Sequence, residues 1–281
     1  MRIHSLFFLL VSISCYGQRY SKQDDLKFTK YLLESKHYED AIILLNQYKP
    51  HERNDSINYF LGKAYYLNQN LAKSTDHFRI VNANSDFYLE SQFLSTICLS
   101  YSNQVNTADS LLGLLKIKDP LLLELKYFEQ SGLSLLKRDN YLFQKSNSYL
   151  TNTYYHFTKP KQEFLQIKQT IDAFKPKSAV AAGLLSAVVP GLGKIYTKKT
   201  GEGIATFFKL ALIGLPALEA LNKKGVEDPR FIVFASIFSI GYVANIWGSV
   251  VSVSVRRREF NKKIDDQILV NMHIPIRSIF N

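Results

Sequence analysis

The sequence predicts an all-α protein, an array of helical hairpins followed by a small bundle of three transmembrane helices. Three observations point there. The length of 281 residues suits two units rather than one. Equivalent small side chains recur at separations of 33 and 34 residues in the first half. The 25 residues from Phe231 to Val255 carry no charge, and such a stretch is long enough to cross a hydrocarbon layer of about 30 Å.

At the start of the chain, residues 1–17 have the pattern of an export signal. Arg2 supplies the charge, Leu6 to Ile13 a short apolar run, and Cys15 and Gly17 the small residues before a cut ahead of Gln18. A cut before Cys15 would instead make a lipoprotein, but Ser12 stands where such signals usually carry leucine. With Cys15 removed, Cys98 is left alone, so no intrachain disulfide is expected.

The net charge of +11 is uneven. Residues 18–175 hold 20 Lys and Arg against 17 Asp and Glu, and residues 176–281 hold 14 against 7. Because the excess lies beside apolar stretches, it implies membrane topology and lipid attraction, not nucleic-acid binding.

The hairpin array is expected over residues 18–150. In KHYEDAIILL (36–45), LNQNLAKSTDHF (67–78) and NQVNTADSLL (103–112), Ala41, Ser74 and Ala108 occupy one column. Twelve residues earlier stand Thr29, Gly62 and Thr96, also small, and between them lie the large Leu32, Tyr65 and Leu99. Antiparallel helices approach closely only where side chains are small, and large ones then fill the space between hairpins. A fourth copy around 128–145 keeps Gly132 but has Gln144 in the second small column.

These residues resemble the tetratricopeptide repeat, with YFLGKAYY (59–66) like its first helix and HYEDAI (37–42) like the start of its second. The resemblance covers about residues 22–150. It departs from the family pattern at Asp25, Asn58 and Gln92, where a tryptophan is usual. It implies a curved array whose concave groove binds a protein or peptide partner. Exposed groove positions are expected at Asn58, Lys63, Tyr66, Gln92 and Ser95.

A connector is expected at 151–177, where Pro160 stops one helix before Phe164, Leu165, Ile167, Ile171 and Phe174 form another. The membrane half, 178–255, then offers three apolar stretches, about 179–195, 204–221 and 231–255, and a basic tail at 256–281. Arg256, Arg257 and Arg258 hold their end of the last span on the cytoplasmic side. An exported array then requires an odd number of crossings. The first stretch is short and broken by Pro190, and a re-entrant path there is the alternative. Small residues at Ala179, Gly183, Ala187 and Gly191, and at Ala244, Gly248 and Ser252, mark packing faces. The tail 264–280 alternates apolar residues in part, as a strand or a membrane-surface segment does.

Residues 186–203 resemble a segment of uncharacterised bacterial envelope proteins that carries P-G-x-G-x-x-Y, here Pro190, Gly191, Gly193 and Tyr196, with a further Gly203. The resemblance brings no activity with it. The glycines permit a tight bend at the interface, and Tyr196 suits the headgroup layer. Lys209 and Asn245 are the polar groups singled out inside the apolar stretches, with Lys209 snorkelling toward the Lys198 side and Glu219 doing the same near the other end.

No catalytic pattern is present. GLGK (191–194) lacks the first glycine and the Ser or Thr of a phosphate loop. The six histidines show no metal-ligand spacing and no G-x-S-x-G occurs, so no enzyme, cofactor or metal is expected. The expected function is a scaffold of the bacterial envelope, multi-pass in the inner membrane. Its exported (periplasmic) repeats bind a protein partner, its helices contact membrane lipid, and no small-molecule substrate is identified. The alternative, motivated by Pro190, Lys209, Pro216 and Asn245, is an accessory factor for membrane-protein insertion, or a small transport subunit, in which the membrane helices are the active part.

Overall fold

A computed structural model describes residues 21–151 and 153–280; residues 1–17, with the export signal, lie outside it. The described residues are all helical apart from turns, with thirteen α-helices, a 3-10 turn at Pro50–Glu52 and no strand. Two compact units divide after Leu115.

The first unit is three helical hairpins: α1 (Lys22–Glu34) with α2 (Tyr38–Asn46), α3 (Asp55–Leu67) with α4 (Leu71–Arg79), and α5 (Tyr88–Tyr101) with α6 (Val105–Leu114). Short polar side chains begin several of them. Ser21 accepts from the Asp24 N–H, Asn54 from Ile57 and Asn70 from Lys73, meeting amide groups that a helix start leaves free. The two small columns are the places of closest approach. Thr29, Ala41, Ser74, Thr96 and Ala108 are fully buried. The Ser74 hydroxyl donates to the Gly62 carbonyl at 2.9 Å, and a Cβ on Gly62 would stand 2.5 Å from the Phe78 ring. Tyr59, Phe60, Phe78 and Phe87 form one aromatic cluster there. Cys98 is buried against Ser74, and burial pushes its thiol up to about 11, the state of an inert core residue.

The repeat is also written in the backbone. Lys36, Gln69 and Asn103 have φ of 62°, 61° and 60°. The amide after each bonds back across the helix end, His37 to Leu32, Asn70 to Tyr65 and Gln104 to Leu99, at 2.8 to 2.9 Å. This six-to-one closure with a left-handed residue ends a helix and turns the chain into the next.

In the second unit the same turn recurs at Arg138, with φ 59° and Asp139 bonded to Ser134, between α7 (Pro120–Leu136) and α8 (Asn140–Ser148). This fourth hairpin belongs to the unit that holds the apolar helices. It is followed by α9 (Tyr155–Ala173), α10 (Ala179–Val188), α11 (Leu192–Tyr196), α12 (Thr200–Lys224) and α13 (Pro229–Phe280).

Three expectations are corrected here. Pro160 does not stop a helix but lies buried within α9. Two helices, α12 and α13, are long and apolar enough to cross a membrane, not three. The stretch at 179–195 yields only the 10-residue α10, about 15 Å long, before the chain breaks.

The third correction concerns the tail. It is not a strand but the last part of α13, a single helix of 52 residues. Ile264, Ile268, Met272 and Ile276 recur every four residues and are buried. Met272 fills the space left by Gly132, where a Cβ would overlap its side chain. The tail runs antiparallel to α9: Phe260 stacks on Phe174 at 3.8 Å near the end of α9, and Ser278 meets the His156 ring at 2.8 Å near its start. Arg138 of the hairpin turn pairs with Asp265 at 2.8 Å.

Candidate functional site at a capped helix break

Between α10 and α11 the helical path stops inside an apolar segment, and its free backbone groups are met by side chains of α13. Gly191 has φ +84°, which an L side chain rarely adopts. A Cβ there would overlap the Gly203 carbonyl, and one on Gly193 would overlap the Ala182 carbonyl. A Cβ on Gly203 would stand 2.6 Å from the Gly191 carbonyl. The glycines of the P-G-x-G-x-x-Y segment therefore serve backbone-to-backbone contact.

With that contact, α11 returns beside α10. Tyr196 at its end accepts a hydrogen bond from the Ser178 N–H at the start of α10, at 3.3 Å. The Lys177 ammonium lies 4.5 Å from the Tyr196 ring centre. The two ends of the hairpin are thus level, and its tip is Val189 and Pro190.

A helix end leaves its last carbonyls and first amides unpaired, which is costly away from water. Here α13 pairs both. Tyr242 donates to the Ala187 carbonyl. The Asn245 amide donates to the Ser186 carbonyl at 3.2 Å, and its oxygen accepts the Gly191 N–H at 3.0 Å. The Gly193 N–H donates to the Ser186 hydroxyl at 2.9 Å. That hydroxyl touches Ser249 at 2.7 Å, and Ser249 donates to the Asn245 carbonyl at 2.9 Å. Lower down, Thr197 and Ser252 hydroxyls meet at 2.9 Å. Asn245, Ser186 and Ser249 are buried, so the break is capped from one face of α13 together with Ser186 of α10.

The residues singled out from the sequence divide as follows. Pro190, Gly191, Gly193, Gly203 and Asn245 come together at the break, and Tyr196 closes the other end of the hairpin. Lys209 does not: it is exposed on α12, while Asn245 is 4 % exposed. Of the two small-residue faces, Gly183 does lie against Val250 of α13. On α13 the contact face is Tyr242, Asn245, Ser249 and Ser252; Ala244 is exposed.

In the first unit the groove positions are corrected too. Asn58, Gln92 and Ser95 are buried instead of open, with Gln92 donating to the Phe78 carbonyl at 3.3 Å. Lys63 is held by Glu90 at 3.2 Å and by the Tyr59 hydroxyl at 3.0 Å, and Tyr66 is half-buried. The exposed apolar side chains of that unit are others, among them Phe28, Tyr31, Ile43 and Tyr101.

Among the described residues no group of three or more His, Cys, Asp and Glu side chains could hold a metal ion. The chain matches no protein-family model, no curated protein and no solved structure.

Proposed function

We propose that the protein is a membrane-anchored scaffold of the bacterial envelope, in which tetratricopeptide-like hairpins hold a protein or peptide partner near the inner membrane. The observation that carries this reading is the continuity of α13. One uninterrupted helix runs from the 25-residue apolar stretch into the packing of α7 and α9, so the hairpin beside the anchor is mounted on it without a flexible linker. The α7–α8 hairpin is thereby held at a set height on the anchor.

In this reading α12 and α13 cross the bilayer. The α10–α11 hairpin enters to mid-depth, about 15 Å, and leaves on the side it came from. Non-helical backbone at such depth persists only where protein satisfies it, and the cap from α13 does so. Two crossings then put α9 and the tail of α13 on the same face. The export signal read in residues 1–17 makes that the outer face, which carries the Arg256–Arg258 cluster with it, against the usual charge bias.

The alternative of a membrane-active factor has less support, because Lys209 and Asn245 do not share a site. The test uses the full chain in its native membrane with a photocrosslinking residue at Tyr31 or Tyr101. One specific envelope protein captured at these positions, and not from Val226 in the α12–α13 turn, is expected. Labelling that is equal at all three positions contradicts the scaffold reading.

A further inference from the structure

We infer that the second unit contains a specific site for the phosphate headgroup of an anionic phospholipid. The inference rests on the membrane placement proposed above. A cleft of about 900 Å³ opens where the end of α9, the α9–α10 linker, the end of α11 and the middle of α13 meet. Five cations line it, Lys175, Lys177, Lys198, Arg256 and Lys263, against one carboxylate, Glu259. That carboxylate is already shared with Lys199 at 3.8 Å, so the cleft carries a clear excess of positive charge.

Arg256 is its centre. Its Nη1 is buried and has no hydrogen-bond partner, and an unsatisfied buried donor is costly unless a ligand supplies an acceptor. Its guanidinium lies over the Phe174 ring, 5.9 Å from the ring centre, and that ring stacks on Phe260. The aromatic pair orients the planar fork, the group with which arginine takes phosphate oxygens in pairs.

The depth argues for a lipid source. Arg256 directly follows the uncharged stretch that ends at Val255, and Lys177 lies beside Tyr196, a residue type suited to the headgroup layer. Directly after this linker α10 exposes Val180, Leu184 and Val188, one turn apart, as a helix facing acyl chains does. A soluble phosphate meets the same cations but has no acyl chains to set beside Val180, Leu184 and Val188. A phospholipid places its phosphate at this level by partition alone.

The test is native mass spectrometry of the full chain, taken from nanodiscs of phosphatidylglycerol mixed with phosphatidylcholine. Retained phosphatidylglycerol is the expected result for the parent protein. In Arg256→Gln with Lys177→Gln, retention should fall roughly 25-fold, about fivefold per cation. In Arg257→Gln with Arg258→Gln, which removes the same charge from exposed positions outside the cleft, it should stay near the parent value. Equal loss in both pairs means diffuse attraction and overturns the site. Displacement of the lipid by millimolar inorganic phosphate overturns the lipid source. Resistance to alkaline extraction, measured on each variant, reports insertion separately, so loss of the lipid with insertion intact does not bear on the anchor itself.

Discussion

Asn245 shows how one side chain sustains a break in a helix. It supplies both a donor and an acceptor to backbone groups that lie too deep for water. Asn245→Leu keeps the volume but strands the Gly191 N–H and the Ser186 carbonyl, at about 1–3 kcal/mol for each group. A lower unfolding midpoint in detergent is expected, and a midpoint unchanged within error contradicts the cap. Gly191→Ala is expected to be at least as damaging, because it meets both a positive φ and an occupied space.

Glu129 on α7 is fully buried, both its oxygens lack partners, and burial raises its carboxyl well above the usual range. The folded chain therefore keeps a proton there that the unfolded chain releases. Its contribution is present below the ordinary carboxylate value and is lost as pH rises through the raised one, by up to about 1.4 kcal/mol per pH unit. Glu129→Gln should remove that slope and be more stable than the parent at pH 8, as thermal unfolding across pH 5 to 8 would show. A parent and variant with parallel pH profiles would exclude this account. None of this was visible in the sequence, where Glu129 stands on a helix like any solvated carboxylate.

Among the elements, the small columns were legible because helix contact demands small residues at a constant period, and all six were found buried or in backbone contact. The turns between them were not, since Lys36, Gln69 and Arg138 carry no glycine-like mark of a positive φ. The groove was misplaced for a related reason: Asn58 and Gln92 look like surface by residue type, yet neighbouring helices cover them. The break at Pro190–Gly191 was legible as a bend, and of the two paths read for 179–195, a span or a re-entrant turn, the chain follows the one that turns back on itself. The tail misled through its partial alternation, while the four-residue interval of Ile264, Ile268, Met272 and Ile276 was the stronger pattern. If that interval locks α13 onto α7 and α9, Met272→Ala should cost about 2–4 kcal/mol and expose α7–α8 to protease first. Cleavage that begins elsewhere at an unchanged rate would contradict it.

For the molecule as a whole, the charge pattern and the packing lead to different orientations when three spans are assumed. With two spans the packing is satisfied and the Arg256–Arg258 cluster lies on the outer face, against the charge bias. Cations from the linker, from α11 and from α13 then gather at one level beside α9. The claim on which everything rests is that α9 and the tail of α13 share one face of the membrane, the outer one. It is tested by single cysteines at the exposed positions Tyr149, Val226 and Val270, in a background with Cys15 and Cys98 replaced by serine, labelled in spheroplasts with an impermeant maleimide. Labelling at 149 and 270 with protection at 226 is the predicted result. Labelling of only one of 149 and 270 would contradict the shared face, and labelling at 226 alone would contradict export.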